Sequence, residues 1–365
     1  MFKKVFLFYI SYLAAMIYAQ TLLLLWFLHN GVSYIDMLLY FLVFYIAVLL
    51  LFFVLKGIKF NSRNALLIGV GTSALAILVA NFMTHVYFIY IIAIIFSFNI
   101  VFFWTIYNTL HFKYSESHEH GFKSGMYFLF TPVFSTILAP IAGVVVERFG
   151  YHTLFLSSMV LYAIPMYLAL KLPSFDFKFD TYKALRNMEH KVLVTMQGYI
   201  FMLSYNIVPI FTLFYINTPG KLGNFFGYLA ILSAVTALIN SKISDRLKKR
   251  AFFFYFFNII NSISYIPLAF VTSVFGWGLF TSISNLTYGL SNPFNFALTL
   301  DHRKGEIIDT MAAREIYLNL GRVIMILVAL IVFVFTKSLN MALLVSVIIS
   351  FAYPITAYFN RVYLK

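Results

Sequence analysis

The sequence predicts an all-α membrane protein: twelve transmembrane helices in two six-helix halves, with both termini cytoplasmic. Three observations carry this. First, hydrophobic residues make up 62% of 365 positions and Asp, Glu, Lys and Arg only 10%, against about 25% charged in a soluble domain. A soluble core of this length cannot hide that much apolar side chain from water, so bilayer lipid is the solvent. Second, twelve stretches approach the about 20 apolar residues that one hydrocarbon crossing needs. Third, the basic residues fall almost wholly on one side of those crossings.

The stretches lie near residues 5–28, 34–55, 64–83, 86–110, 123–146 and 151–171, then near 192–216, 222–241, 251–272, 275–300, 311–336 and 339–360. Short breaks at Asn81–Val86, Glu147–His152, Val271–Trp277 and Thr336–Asn340 read as tight helical hairpins. Met1–Lys4 plus an apolar run has the look of a signal peptide. The run continues to Leu28, and Ile17-Tyr18-Ala19 is a poor cleavage site, so it reads as an uncleaved first span.

With the N-terminus cytoplasmic, 22 of the 26 Lys and Arg lie in cytoplasmic loops and ends. Only Arg148, Lys221 and Lys337 lie outside, and Arg322 lies within a span. One missed or invented span would scramble every later loop, so this asymmetry tests the span count. The net charge of +14 then reflects topology and contact with anionic membrane lipid. It implies no nucleic-acid partner. Cysteine is absent, which excludes disulfides, thiolate metal sites and Cys nucleophiles.

The domains are read as an N-terminal half 1–171, a cytoplasmic linker 172–191 and a C-terminal half 192–365. Thr181–His190 reads either as a short interfacial helix, with Tyr182, Leu185 and Met188 on one face, or as a disordered linker. Two halves joined this way, with a site between them, is a transporter architecture.

After span eight comes Asn240-Ser241-Lys242-Ile243-Ser244-Asp245-Arg246-Leu247-Lys248-Lys249-Arg250. It resembles the G-x-x-x-D-R-x-G-R-R loop of the major facilitator superfamily. Asp245, Arg246, Lys249 and Arg250 match, while Ser241 and Lys248 replace the two glycines. After span two only Gly57 matches, and Asn61 replaces the aspartate. Ala139-Pro140-Ile141-Ala142-Gly143 and Glu147–His152 resemble the end of span five in the same family. The resemblance implies a secondary transporter, not an enzyme, that moves a small-molecule substrate by alternating access. It implies a cavity lined by spans one, four, seven and ten. No cofactor is expected. The chain is expected to act as a monomer in the plasma membrane, as a multi-pass protein in contact with membrane lipids.

An aspartate at a span end can accept from backbone N–H groups at a neighbouring helix start. Asp245, Arg246, Lys249 and Arg250, with Glu315 at the cytoplasmic end of span eleven, are therefore candidates for a cytoplasmic gate. Positive-inside topology alone also accounts for the basic ones.

All twelve carboxylates are read at or near span ends or in loops. So are the histidines, His29, His85, His111 and His152 near ends and the rest in loops. Proton coupling usually needs a titrating group within the membrane, so a facilitator is the expectation. Arg322 is the exception, about ten residues, roughly 15 Å, into span eleven. It reads as an anchor for an anionic substrate group, as half of an inter-helix gate, or as a side chain snorkelling to headgroups.

Uncharged polar residues cluster near span centres: Tyr18 and Gln20 in span one, Asn99 in span four, Tyr205 and Asn206 in span seven. Asn285, Tyr288 and Asn292 share a face of span ten. With Arg322 these are the substrate-cavity candidates. Each also reads as inter-helix glue. Asn206-x-x-Pro209 and Asn292-Pro293 are expected kinks.

There is no G-x-x-x-x-G-K-[ST], G-x-S-x-G or H-E-x-x-H motif. His118, Glu119 and His120 are adjacent and not at ligand spacing, so they read as a solvated loop and no metal is expected. Two other readings are a non-transporting receptor or scaffold and an intramembrane lipid-modifying enzyme. The enzyme would need His, Asp or Glu converging near the membrane, and the sequence displays no such set.

Overall fold

A computed structural model describes residues 2–114, 120–247, 250–301 and 305–360, with backbone alone at 120–128, 238–247, 250–251, 253, 293–294 and 297–301. The described chain is helical apart from short connections and one two-stranded sheet. α1 (Phe2–Gln20) and α2 (Leu23–His29) are separated at Thr21–Leu22, where a continuous span was expected. Ser33 and Asp36 exchange side-chain-to-backbone hydrogen bonds and set the start of α3 (Tyr34–Val54). This satisfies two N–H groups that the first turn would otherwise leave unpaired. Asn61 caps α4 (Ser62–Asn81) in the same spirit.

α5 (Phe88–Asn99) and α6 (Thr105–Lys113) are joined through a π-turn at Ile100–Trp104. α7 (His120–Leu170) contains two stretches in one, divided at Gly150, whose φ of 81° is a left-handed value only glycine adopts freely. Its apolar part, Leu129–Leu170, is 42 residues long, about twice what one crossing needs.

The segment expected as a linker is not a loose tether. Asp176–Lys178 forms β2, antiparallel to β1 (Lys59–Asn61), pairing Phe60 with Phe177. Lys59 meets Asp176 at 2.8 Å. The lysine hydrogen bond holds the Asp176 carboxyl below its ordinary value. Both side chains are exposed, so the pair adds little. The hold comes from aromatics: Phe179 packs on Phe52, Phe60 and Phe177. Phe179→Ala is expected to cost about 3–5 kcal/mol, read as lowered resistance to denaturant. Loss of under 1 kcal/mol would mean that the clasp contributes nothing.

Asp180 then caps α8 (Thr181–Asn187). This is the short helix of the two expected alternatives. Its buried side holds Thr181, Ala184 and Met188, while Tyr182 is exposed under Lys56. Lys183 reaches Asp309 at 3.0 Å, a contact that raises the lysine's pKa.

α9 (Lys191–Met202), a π-turn at Leu203–Ile207 and α10 (Val208–Tyr215) follow. Val208 N–H bonds five residues back to Leu203 O. Pro209 has no N–H with which to continue the α ladder, and the expected break near Asn206 takes this form. α11 (Pro219–Leu247), α12 (Arg250–Ser264) and a 3₁₀ turn at Ile266–Ala269 come next. α13 (Val274–Asp301) stays helical through Asn292-Pro293. α14 (Ile307–Thr336), α15 (Leu339–Ser350) and α16 (Ala352–Phe359) complete the chain.

Among the described residues, eight helical segments are long and apolar enough to cross a membrane. α12 is only 15 residues long. The helices up to Leu170 meet those from Lys191 onward along seams, chiefly at α7 against α11, then at α3 against α14, with α6 also on α14. At the first seam the backbones nearly touch: a Cβ on Gly143 would lie 2.7 Å from the Pro219 carbonyl oxygen.

Candidate functional site

The second seam carries the polar cluster. The π-turn adds a residue to one turn of helix and redirects Tyr205 and Asn206. Asn206 Nδ2 donates to the Tyr45 hydroxyl of α3 at 2.8 Å, a bond between helices far apart in sequence. The Arg322 guanidinium of α14 lies between two rings, 5.0 Å from the centroid of Tyr45 and 5.3 Å from that of Phe201. Such stacking suits a planar cation out of water. Arg322 thus points into the bundle and does not snorkel. Its Nη1 donates to Asn319 at 2.9 Å, and its buried Nε has no partner.

Tyr288 of α13 packs edge-on against Tyr205, with centroids 5.3 Å apart. Phe201 stacks on Tyr205. Tyr205 itself is 56% exposed. The buried Asn292 Oδ1 and Gln197 Nε2 have no hydrogen-bond partner among the described residues. Gln197 lies one turn before Phe201, and Asn292 one turn after Tyr288. Unpaired buried polar atoms are costly and uncommon.

The other sequence candidates lie elsewhere. Asn99 donates to the Gly69 carbonyl at 2.8 Å, as glue between α5 and α4. Tyr18 bonds Ser157, and Gln20 bonds Tyr162. Asn285 accepts from Ser233. Asn295 exchanges two bonds with Asn258, again as glue. Tyr45 and Phe201 were missed: among 44 Phe and 26 Tyr, no ring stands out. The gate candidates Asp245, Arg246 and Arg250 have side chains outside the described residues, and Lys249 lies outside them altogether. So do His118 and Glu119 in the loop read as solvated.

Glu315, the remaining gate candidate, is described. α14 starts at Ile307, so Glu315 is two turns inside it and only 5% exposed. It pairs with Arg314 at 3.0 Å. Arg314 lies over the Phe296 ring at 4.4 Å.

The Major Facilitator Superfamily model matches residues 5–307. The chain belongs to this superfamily. Solved members of the same fold align over nearly all of it. The E. coli fucose:proton symporter FucP is 13% identical with a TM-score of 0.68, covering 98% of each chain. Two structures of a POT family transporter are each 12% identical. The complex with a thioalcohol-conjugated peptide has a TM-score of 0.70, the complex with 5-aminolevulinic acid 0.67; both cover 97% of this chain and 94% of the other. No curated protein sequence matches it.

In this superfamily member the cluster lies between two bridged ends. At one end His29 links Tyr151 at 3.1 Å and the Asn217 carbonyl at 3.3 Å. A carbonyl only accepts, so His29 Nε2 carries a proton. Beside it Glu147 accepts from Gly220 N at 2.9 Å, at the start of α11. Tyr34 stacks on Phe214, centroids 3.8 Å apart. At the other end Phe112 meets Phe296 and Lys183 meets Asp309. The protein is a multi-pass integral membrane transporter.

Proposed function

We propose that this protein is a secondary carrier that moves one small solute by alternating access. Twelve crossings form halves 1–171 and 192–365, which rock about the Tyr45–Asn206–Arg322 seam. The Lys183 end faces the cytoplasm, as do both termini, and the protein works as a monomer in the plasma membrane. The observation that carries this reading is a set of buried polar atoms without partners among the described residues, Gln197 on α9, Asn292 on α13 and Arg322 on α14, beside the Asn206–Tyr45 bond between the π-turn and α3. Binding sites of repeat-built carriers lie at such an interface near the midplane. The bridges at His29, Glu147 and Tyr34 serve as one gate, and those at Phe112 and Lys183 as the other.

The chain has no cysteine, so single thiols introduced into it report access directly. A Tyr205→Cys variant should react with a membrane-impermeant maleimide added from either face. Adding Tyr34→Cys and Phe214→Cys, and oxidising that pair before the maleimide is applied, should leave labelling from the opposite face only. No labelling from either face would favour a receptor or scaffold over a carrier.

A further inference from the structure

We infer that the central site takes a small organic anion with a flat apolar body, its oxyanion on Arg322 and its body among Phe201, Tyr205 and Tyr288. This rests on the carrier reading for the role of substrate, not for the binding. The first argument is charge. Among the described residues no carboxylate pairs with Arg322. Glu315, seven residues earlier on the same face, is committed to Arg314. Among the described residues the one hydrogen bond of Arg322 goes to the neutral Asn319. A cation held inside the membrane without a counter-charge is costly, and a bound anion removes that cost.

The second argument is geometry. Among the described residues Arg322 Nε and Gln197 Nε2 are buried without a hydrogen-bond partner. Both can donate, which suits an acceptor-rich oxyanion. A guanidinium offers parallel N–H groups that match a carboxylate. The third argument is shape. Phe201, Tyr205 and Tyr288 meet through ring faces and edges beside the exposed side of Tyr205. Rings in such arrangements favour a flat partner over a branched or fully hydroxylated one. A cationic solute would meet Arg322 with like charge.

The test is thermal unfolding of the purified full-length protein with benzoate and phenylacetate, against benzamide, benzylamine, acetate and sodium chloride. The two aromatic carboxylates should raise the midpoint saturably and the other four should not. Arg322→Gln should weaken benzoate binding about tenfold to a hundredfold, while Arg322→Lys, which keeps the charge, should lose less. Size-exclusion profiles confirm that both variants fold. Equal stabilisation by benzamide, benzylamine or chloride, or none by either carboxylate, overturns the inference. Uptake of labelled benzoate into proteoliposomes is a separate readout. Binding without uptake leaves the anion site standing and sinks the carrier reading. Uptake of a neutral solute, unchanged in Arg322→Gln, does the reverse.

Discussion

Glu315→Ala is expected to destabilise the protein by about 3–5 kcal/mol. Arg314 and Glu315 are 4% and 5% exposed and meet at 3.0 Å. Taking two ions out of water costs several kcal/mol each, and their mutual attraction returns that cost only while both are present. Removing the acid leaves a buried guanidinium whose carboxylate is gone. The stacking of Arg314 on Phe296 recovers part of this, since a cation over a ring gains about 0.5–2 kcal/mol. Replacing both at once, Arg314→Met with Glu315→Leu, removes the charges together and should restore most of the loss. Such exchanges of buried pairs for apolar residues are often neutral or better. Denaturant unfolding of the purified variants checks this. If the double variant is as unstable as the single one, the pair is not the source of the effect. Glu315→Gln should fall between, because it keeps volume and an acceptor but loses the charge.

Hydropathy scores every charged residue as if it faced water. Asp309 therefore placed the start of span eleven near 311, whereas α14 begins at Ile307. Asp309 has a lysine partner and Glu315 an arginine one, and no one-dimensional scale sees a partner.

The two-stranded clasp was missed for a different reason. Phe175, Phe177 and Phe179 alternate with Asp176, Lys178 and Asp180, a period-two pattern that is a strand signal. Its polarity was read as that of a linker. The partner strand, Lys59–Asn61, is three residues long and has no signal of its own.

What the sequence did display were features written in single residues: the turn at Gly150, the break before Pro209 and a cation within a span at Arg322. The polar candidates were half legible. A buried amide must find a partner, but its sequence does not say where. Asn206 finds Tyr45, 161 positions away, and Asn99 finds a backbone carbonyl in the preceding helix.

Gly321→Val should be as damaging as the loss of Glu315, through sterics alone. α9 and α14 cross with their backbones in contact. A Cβ on Gly321 would overlap the Thr195 carbonyl, and one on Gly198 would overlap the Leu318 carbonyl. In both cases the obstacle is backbone, which cannot rotate away as a side chain can. The helices must separate, which strips van der Waals contact along the whole crossing. We expect a loss of about 3 kcal/mol or more. The same separation moves Arg322, the next residue, away from Phe201, so benzoate binding should weaken together with stability. Gly71→Ala is the matched control. A Cβ there meets only the tip of Met166 at 3.9 Å, and alanine is favoured over glycine within a helix by about 0.5–1 kcal/mol. One added methyl should therefore stabilise α4, while added bulk at Gly321 parts α14 from α9. Equal stability of the Gly71→Ala and Gly321→Val proteins would mean that the close crossing does not hold this seam together.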